Sequence, residues 1–177
     1  PFQVLGLEAS TREGYHLEVP IQSGGKEIEV KIKGIIDRID KKEGRVRVID
    51  YKTGKDEKDF ASIESFKAPT RINKNKTVLQ VFYYSYLFWK KHGDDQVIEP
   101  GIFNSKDLFK SDFNWRVVQK EPRKTGVPVL DFGPFAMEFE DFLKDMLTEI
   151  YDPEIPFDQV EDEMVCEYCP YKGICGR

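Results

Sequence analysis

Histidine and cysteine are scarce in this chain: two of the first and three of the second in 177 residues. All three cysteines fall within the last 12 positions, unlike the framework of an extracellular disulfide-stapled domain. A long hydrophobic run is missing as well. The longest apolar stretch, Val78–Trp89, is broken by Gln80 and Ser85 and is too short to span a bilayer, so no membrane is expected. No signal peptide is visible, and with the cysteine usage this sets the expectation of a cytoplasmic protein. The chain opens on Pro1 rather than Met and is expected to be a piece of a longer one. Positive charge is lacking too: a net charge of −5 excludes a general basic coat for nucleic acid, though not a local one.

What remains is the composition of an ordinary folded domain. Hydrophobic residues make up 40% and aromatic residues 13%, which argues against disorder. A chain of this length can bury one core. Residues 1–158 are expected to form it, with a cysteine-bearing tail, 159–177, packed against them.

The most informative stretch is Gly34–Gly54, GIIDRIDKKEGRVRVIDYKTG. Two β-rich runs flank a polar break at Lys41–Gly44, the pattern of a hairpin. With the turn centred between Lys42 and Glu43, Asp37 lies opposite Val48 and Asp50 is its diagonal neighbour, about 7–8 Å away. Side chains alternate along a strand, so Ile35, Asp37, Ile39, Val46, Val48, Asp50 and Lys52 share one face. The other face carries Arg38, Asp40, Arg45 and Arg47 and is expected to be the wetter one. Two carboxylates on neighbouring strands suit Mg²⁺, which takes one or two carboxylates plus waters. A lysine beside the metal can stabilise developing negative charge, and phosphodiester hydrolysis is the reaction that most needs both. An internal salt bridge between Lys52 and Asp50 explains the same residues.

Around the hairpin, Val4–Ala9 and Tyr15–Ile21 read as short strands and Glu27–Asp40 as a long one, an antiparallel meander. Glu8 and Glu18 are the acids in the first two strands set among apolar neighbours. Lys76–Lys91 carries the strongest helical signal, with apolar residues around most of its circumference. Gln80 and Tyr84, four apart, lie on one face of it, where internal hydrogen-bond partners would suffice to explain them. Gln96–Phe103 and Phe113–Val118 read as strands completing a mixed sheet. Phe135–Tyr151 reads as an amphipathic helix whose stripe (Phe135, Phe139, Phe142, Leu143, Met146, Leu147, Ile150) belongs to the core.

Two further clusters have double readings. Lys67, Arg71, Lys74 and Lys76 stand without an acid between them, as a phosphate-tracking segment for DNA or as a solvated loop. Cys166, Cys169 and Cys175 are spaced C-x2-C-x5-C, which favours Zn²⁺ or an iron–sulfur cluster, although either normally wants four ligands. Three reduced thiols in a packed tail is the other reading.

G-x-x-D-R-I-D at Gly34–Asp40 followed by I-D-Y-K-T-G at Ile49–Gly54 resembles the PD-(D/E)XK nuclease superfamily, and more closely its RecB/AddB-like branch. With Gln80 and Tyr84 as a Q-x-x-x-Y motif and the cysteine trio, the resemblance runs from about Glu8 to Cys175. It implies an α/β (α+β) fold, a central mixed sheet flanked by helices with a restriction-endonuclease-like core. It implies a Mg²⁺ or Mn²⁺ site on Asp37, Asp50 and the Tyr51 main-chain carbonyl, with Lys52, Gln80 and Tyr84 catalytic and Glu8 as a further acid. The cysteine trio would join a fourth, upstream cysteine in a [4Fe–4S] cluster; this chain has none, so the cluster is expected to be absent or labile here. The metal-binding histidine of RecB-like relatives has no counterpart in His16 or His92.

The expectation is a metal-dependent DNA nuclease domain, exonuclease-type, in repair or recombination, beside a helicase domain or subunit. The alternatives are a silent nuclease-fold scaffold that binds DNA or a helicase, and a zinc-stabilised interaction module.

Overall fold

The central hairpin closes on Glu43 and Gly44, both with positive φ (52° and 82°), the backbone that a two-residue turn between twisted strands demands. Lys42 pairs with Arg45, Ile39 with Val48 and Arg38 with Ile49. Continued, that register sets Asp37 across from Asp50 rather than from Val48 as expected. The slip is two residues, and an even slip leaves every side chain on its own face. Asp37, Asp50 and Lys52 therefore share one.

The structure, a computed structural model, describes residues 1–54, 56–67, 75–121, 123–161, 163–167 and 169–176. In chain order its elements are β1 (Gln3–Ala9), β2 (His16–Ser23), β3 (Lys26–Lys33), β4 (Ile36–Lys42), β5 (Arg45–Lys52), β6 (Asp59–Phe60), α1 (Lys76–His92), β7 (Ile98–Asn104), β8 (Val118–Gln119), β9 (Val127–Pro128) and α2 (Ala136–Tyr151). The main sheet has the order β1-β4-β5-β7; β7 runs parallel to β5, and the other neighbours are antiparallel. Parallel neighbours need a crossover, and α1 lies within it. β6, β8 and β9 make a small second sheet. This is a mixed α+β fold with a central mixed sheet and two helices. Among the described residues, no helix is long and apolar enough to cross a membrane.

The first strands depart from the expected meander. β1 pairs with β4 as the edge of the main sheet, while β2 and β3 form a hairpin of their own. Glu27–Asp40 breaks between β3 and β4 at Gly34 and Ile35, because the chain there passes close to α1. A Cβ on Gly34 would stand 2.9 Å from Leu87 Cδ1 and 3.0 Å from Tyr84 Cε1. Phe113–Val118 is not a full strand either: Arg116 makes a single bridge to Gly101, and regular pairing starts at Val118.

α1 begins where Asn75 Oδ1 accepts from the Val78 amide, and it ends where the Gly93 amide donates to Trp89 O with φ at 85°. Lys90, Lys91 and His92 complement the carbonyl end of its dipole. Its inner side meets Val46, Val48, Ile98 and Ile102 of the sheet, all buried. Phe82 sits at the centre, its ring 5.0 Å from Phe60 and 5.4 Å from Phe132. Phe139, Phe142 and Leu143 of α2 close the same core, whereas Ile150 lies 52% exposed in its last turn, outside the stripe's buried part.

The face expected to be wet is not. Asp40 is fully buried, with Arg47 Nε 2.6 Å and Arg38 Nε 2.5 Å from its oxygens. Arg38 lies over the Phe2 ring and Arg47 over Trp115, so aromatic side chains cover what the alternation pattern left to water. Arg45 is the exposed member and pairs with buried Glu99 at 3.3 Å.

Candidate active site

Asp50 and Lys52 end β5, Asp37 begins β4, and Gln80 and Tyr84 face them from α1. Asp50 is 1% exposed. Lys52 Nζ lies 2.9 Å from Asp50 Oδ2, close enough for an ion pair but without the alignment of a hydrogen bond. The same ammonium donates to Gln80 Oε1 at 2.7 Å, and Gln80 Nε2 donates to the Tyr84 hydroxyl at 2.9 Å. These bonds orient the amide: its oxygen must face the lysine and its nitrogen the tyrosine. The Tyr84 oxygen accepts, so its own proton is left to give outward.

Asp37 is held from the other side. Its Oδ2 accepts from the Tyr51 main-chain amide at 2.8 Å. Glu8 lies between the paired positions Leu7↔Arg38 and Ala9↔Ile36, which sets it across from Asp37; it is exposed and has φ at 50°. A non-glycine residue at positive φ is uncommon in a strand.

Burial raises the Asp50 carboxyl above its usual range, and the negative charges of Asp37 and Asp56 add to this against the pull of Lys52. Burial also raises the Tyr84 phenol, which keeps it a donor at neutral pH. A buried carboxylate crowded by other carboxylates is under-neutralised, and a cation relieves that. Two carboxylates fit Mg²⁺ or Mn²⁺ if water and a substrate phosphate complete the shell. Among the described residues, no group of three or more His, Cys, Asp or Glu side chains is placed to hold a metal by itself. The cysteines are included in that statement: Cys166 and Cys169 are half-buried, Cys175 is exposed, and no disulfide joins them.

The sequence model of the PD-(D/E)XK nuclease superfamily matches residues 2–176. The chain belongs to that superfamily. Comparison with curated proteins and with solved structures found no significant match. PD-(D/E)XK enzymes generally hydrolyse phosphodiester bonds and typically use divalent metals such as Mg²⁺, and a nuclease fold points to DNA as substrate. The mixed sheet with its two helices is consistent with the restriction-endonuclease-like fold of this superfamily.

Of the basic segment, Arg71 and Lys74 lie outside the described residues. Lys67 ends a 3-10 turn with its ammonium 5.8 Å from the Phe142 ring centre, and Lys76 is exposed at the start of α1. Two residues beside the site carry no motif and escape sequence reasoning. Asp56 accepts from Thr77 Oγ1 at 2.8 Å and adds its charge to the surroundings of Asp50. Asn104, 3% exposed, pairs in register with Lys52 and donates to the Asp56 carbonyl at 3.1 Å. A polar residue closing the apolar run of β7 is the one signal that could have found Asn104.

Proposed function

We propose that this chain is a divalent-metal-dependent DNA nuclease domain of the RecB/AddB-like branch, exonuclease-type, acting in repair or recombination beside a helicase domain or subunit. The observation that carries the reading is the hydrogen-bonded run of Tyr84, Gln80 and Lys52, whose ammonium ion-pairs with Asp50 next to Asp37. A structural salt bridge needs Lys52 and Asp50 only; it does not need a glutamine whose two ends are both committed.

Asp37, Asp50 and the Tyr51 carbonyl would hold Mg²⁺ or Mn²⁺, with Glu8 as a further acid. A cation held there would supply Lewis-acid polarisation of a phosphate oxygen and a lowered pKa for its bound water. Lys52, steered by Gln80, offers a donor to the oxygen that gains charge as the phosphorus is attacked. Tyr84 gives its free proton to a phosphate oxygen and so orients the strand. Lys67, Arg71, Lys74 and Lys76 would track the backbone further along. A cluster on Cys166, Cys169 and Cys175 requires one ligand more than the tail holds, and iron analysis of the purified protein decides it.

The test is Mn²⁺-dependent degradation of end-labelled linear DNA by wild type and Asp50→Ala, with circular DNA as a second substrate. Loss of linear-DNA degradation in the variant, with circles spared throughout, is expected. Equal activity in both proteins, or none in either while DNA is bound, replaces the reading with a scaffold role.

A further inference from the structure

The β4–β5 ladder stops just short of the site. Its last pair is Arg38 with Ile49, and the next narrow pair in that register would join Ile36 to Tyr51. That pair does not form: the Tyr51 amide donates to Asp37 Oδ2 at 2.8 Å, a side chain standing in for a β4 carbonyl. The N–H and C=O of one residue leave an extended strand on the same side, so the Tyr51 carbonyl also faces β4. The two strands thus part where Asp37 and the Tyr51 main chain must stay together.

A second side chain spans the gap from the opposite face. Arg38 Nη1 donates to the Tyr51 hydroxyl at 3.0 Å. The guanidinium is itself held, with Nε and Nη2 both on Asp40 Oδ2 and its Cζ 4.4 Å from the centre of the Phe2 ring. Its fork is planar and rigid, so engaging Nε and Nη2 sets the direction of Nη1. The Tyr51 ring is braced edge-on by Phe103 at 5.8 Å. Buried charge is not the cheapest cover for a sheet face, since apolar residues of similar volume often serve as well. What apolar residues lack is a donor aimed at Tyr51.

We propose that Arg38 and Asp40 are positioning residues of the metal site, acting through the Tyr51 hydroxyl. The inference rests on the nuclease reading and adds to it two residues that touch neither cation nor DNA. Asp40 fixes the arginine, and the arginine clasps the tyrosine. The tyrosine carries the amide that holds Asp37 and the carbonyl offered to the cation. Partners at one remove from a metal typically account for about 10–100-fold of its affinity. Arg47 shares Asp40 at 2.6 Å but has no bond to Tyr51 among the described residues, so its part is in stability alone.

The test is Mn²⁺ binding to the full chain without DNA, read from the EPR signal of free Mn²⁺, beside thermal melting. Tyr51→Phe removes one hydroxyl and keeps the ring, so the Kd should rise about tenfold while the melting temperature stays close to that of wild type. Arg38→Lys keeps the charge beside Asp40 but loses the fork, and should raise the Kd as much. Arg47→Lys should lower the melting temperature and leave the Kd unchanged. An unchanged Kd in Tyr51→Phe, or a rise in Arg47→Lys equal to that in Arg38→Lys, overturns the clasp, while Mn²⁺-dependent cleavage by wild type leaves the nuclease reading standing. If wild type binds no more Mn²⁺ than Asp50→Ala, the metal site fails and this inference with it.

Discussion

Gln80 Oε1 accepts from Lys52 Nζ at 2.7 Å, so a helix residue sets the direction of a strand lysine 28 positions earlier. Lys52→Ala is expected to lower cleavage about 10²–10³-fold, the loss of one aimed electrostatic donor. Gln80→Ala keeps the lysine but frees it, and about a tenfold loss in kcat is expected with DNA affinity little changed. Single-turnover assays at saturating Mn²⁺ separate the two variants; wild-type cleavage by Gln80→Ala would deny Gln80 its positioning role.

Asp40 is the keystone of the opposite face. It is fully buried between Arg38 and Arg47, whose side chains are 13% and 9% exposed. Asp40→Asn keeps the shape but strands two guanidinium charges in a poorly solvated place. A loss of about 3–5 kcal/mol is expected in urea unfolding, because breaking a buried pair costs far more than the pair contributes.

Gly101 lies under Trp115, and a Cβ there would overlap the indole ring. The Trp115 carbonyl also accepts from the Ile102 amide at 2.8 Å, so the strand and the loop cannot simply part. Gly101→Ala should cost about 1–3 kcal/mol as overpacking does. It should also disturb the loop that follows β7, visible as altered tryptophan fluorescence in a Trp89→Phe background.

His92 stacks on Phe88 at 4.3 Å, and its Nε2 lies 3.3 Å from the Tyr15 hydroxyl. Burial, with Lys91 nearby, lowers its pKa below the usual 6.5. The unfolded chain therefore takes up this proton first as pH falls. Its contribution to stability is full above 6.5 and is lost as pH falls from there to the folded value. The melting temperature of wild type should fall more than that of His92→Gln across this window, and parallel profiles would refute the assignment.

The alternation of β4 and β5 by itself puts Asp37, Asp50 and Lys52 on one face, and even a register wrong by two residues could not undo it. The helix period likewise placed Gln80 and Tyr84 one turn apart, since both patterns are local consequences of backbone geometry. Whether the two faces meet is another matter. That depended on Gly34 letting the chain pass α1 and on β7 docking parallel to β5, contacts between segments far apart in sequence.

The same distinction explains the misreadings. Arg38, Asp40 and Arg47 look like a solvent face because charge is the sign of water, yet Phe2 and Trp115, remote in the chain, cover them and their charges pair. Asp56 stood unmarked for want of a local pattern, and Asn104 had only its place at the polar end of β7. Sequence by itself determined which side each residue faces, because that is covalent geometry; only the tertiary structure decided what lies opposite, because burial and pairing are properties of surfaces brought together.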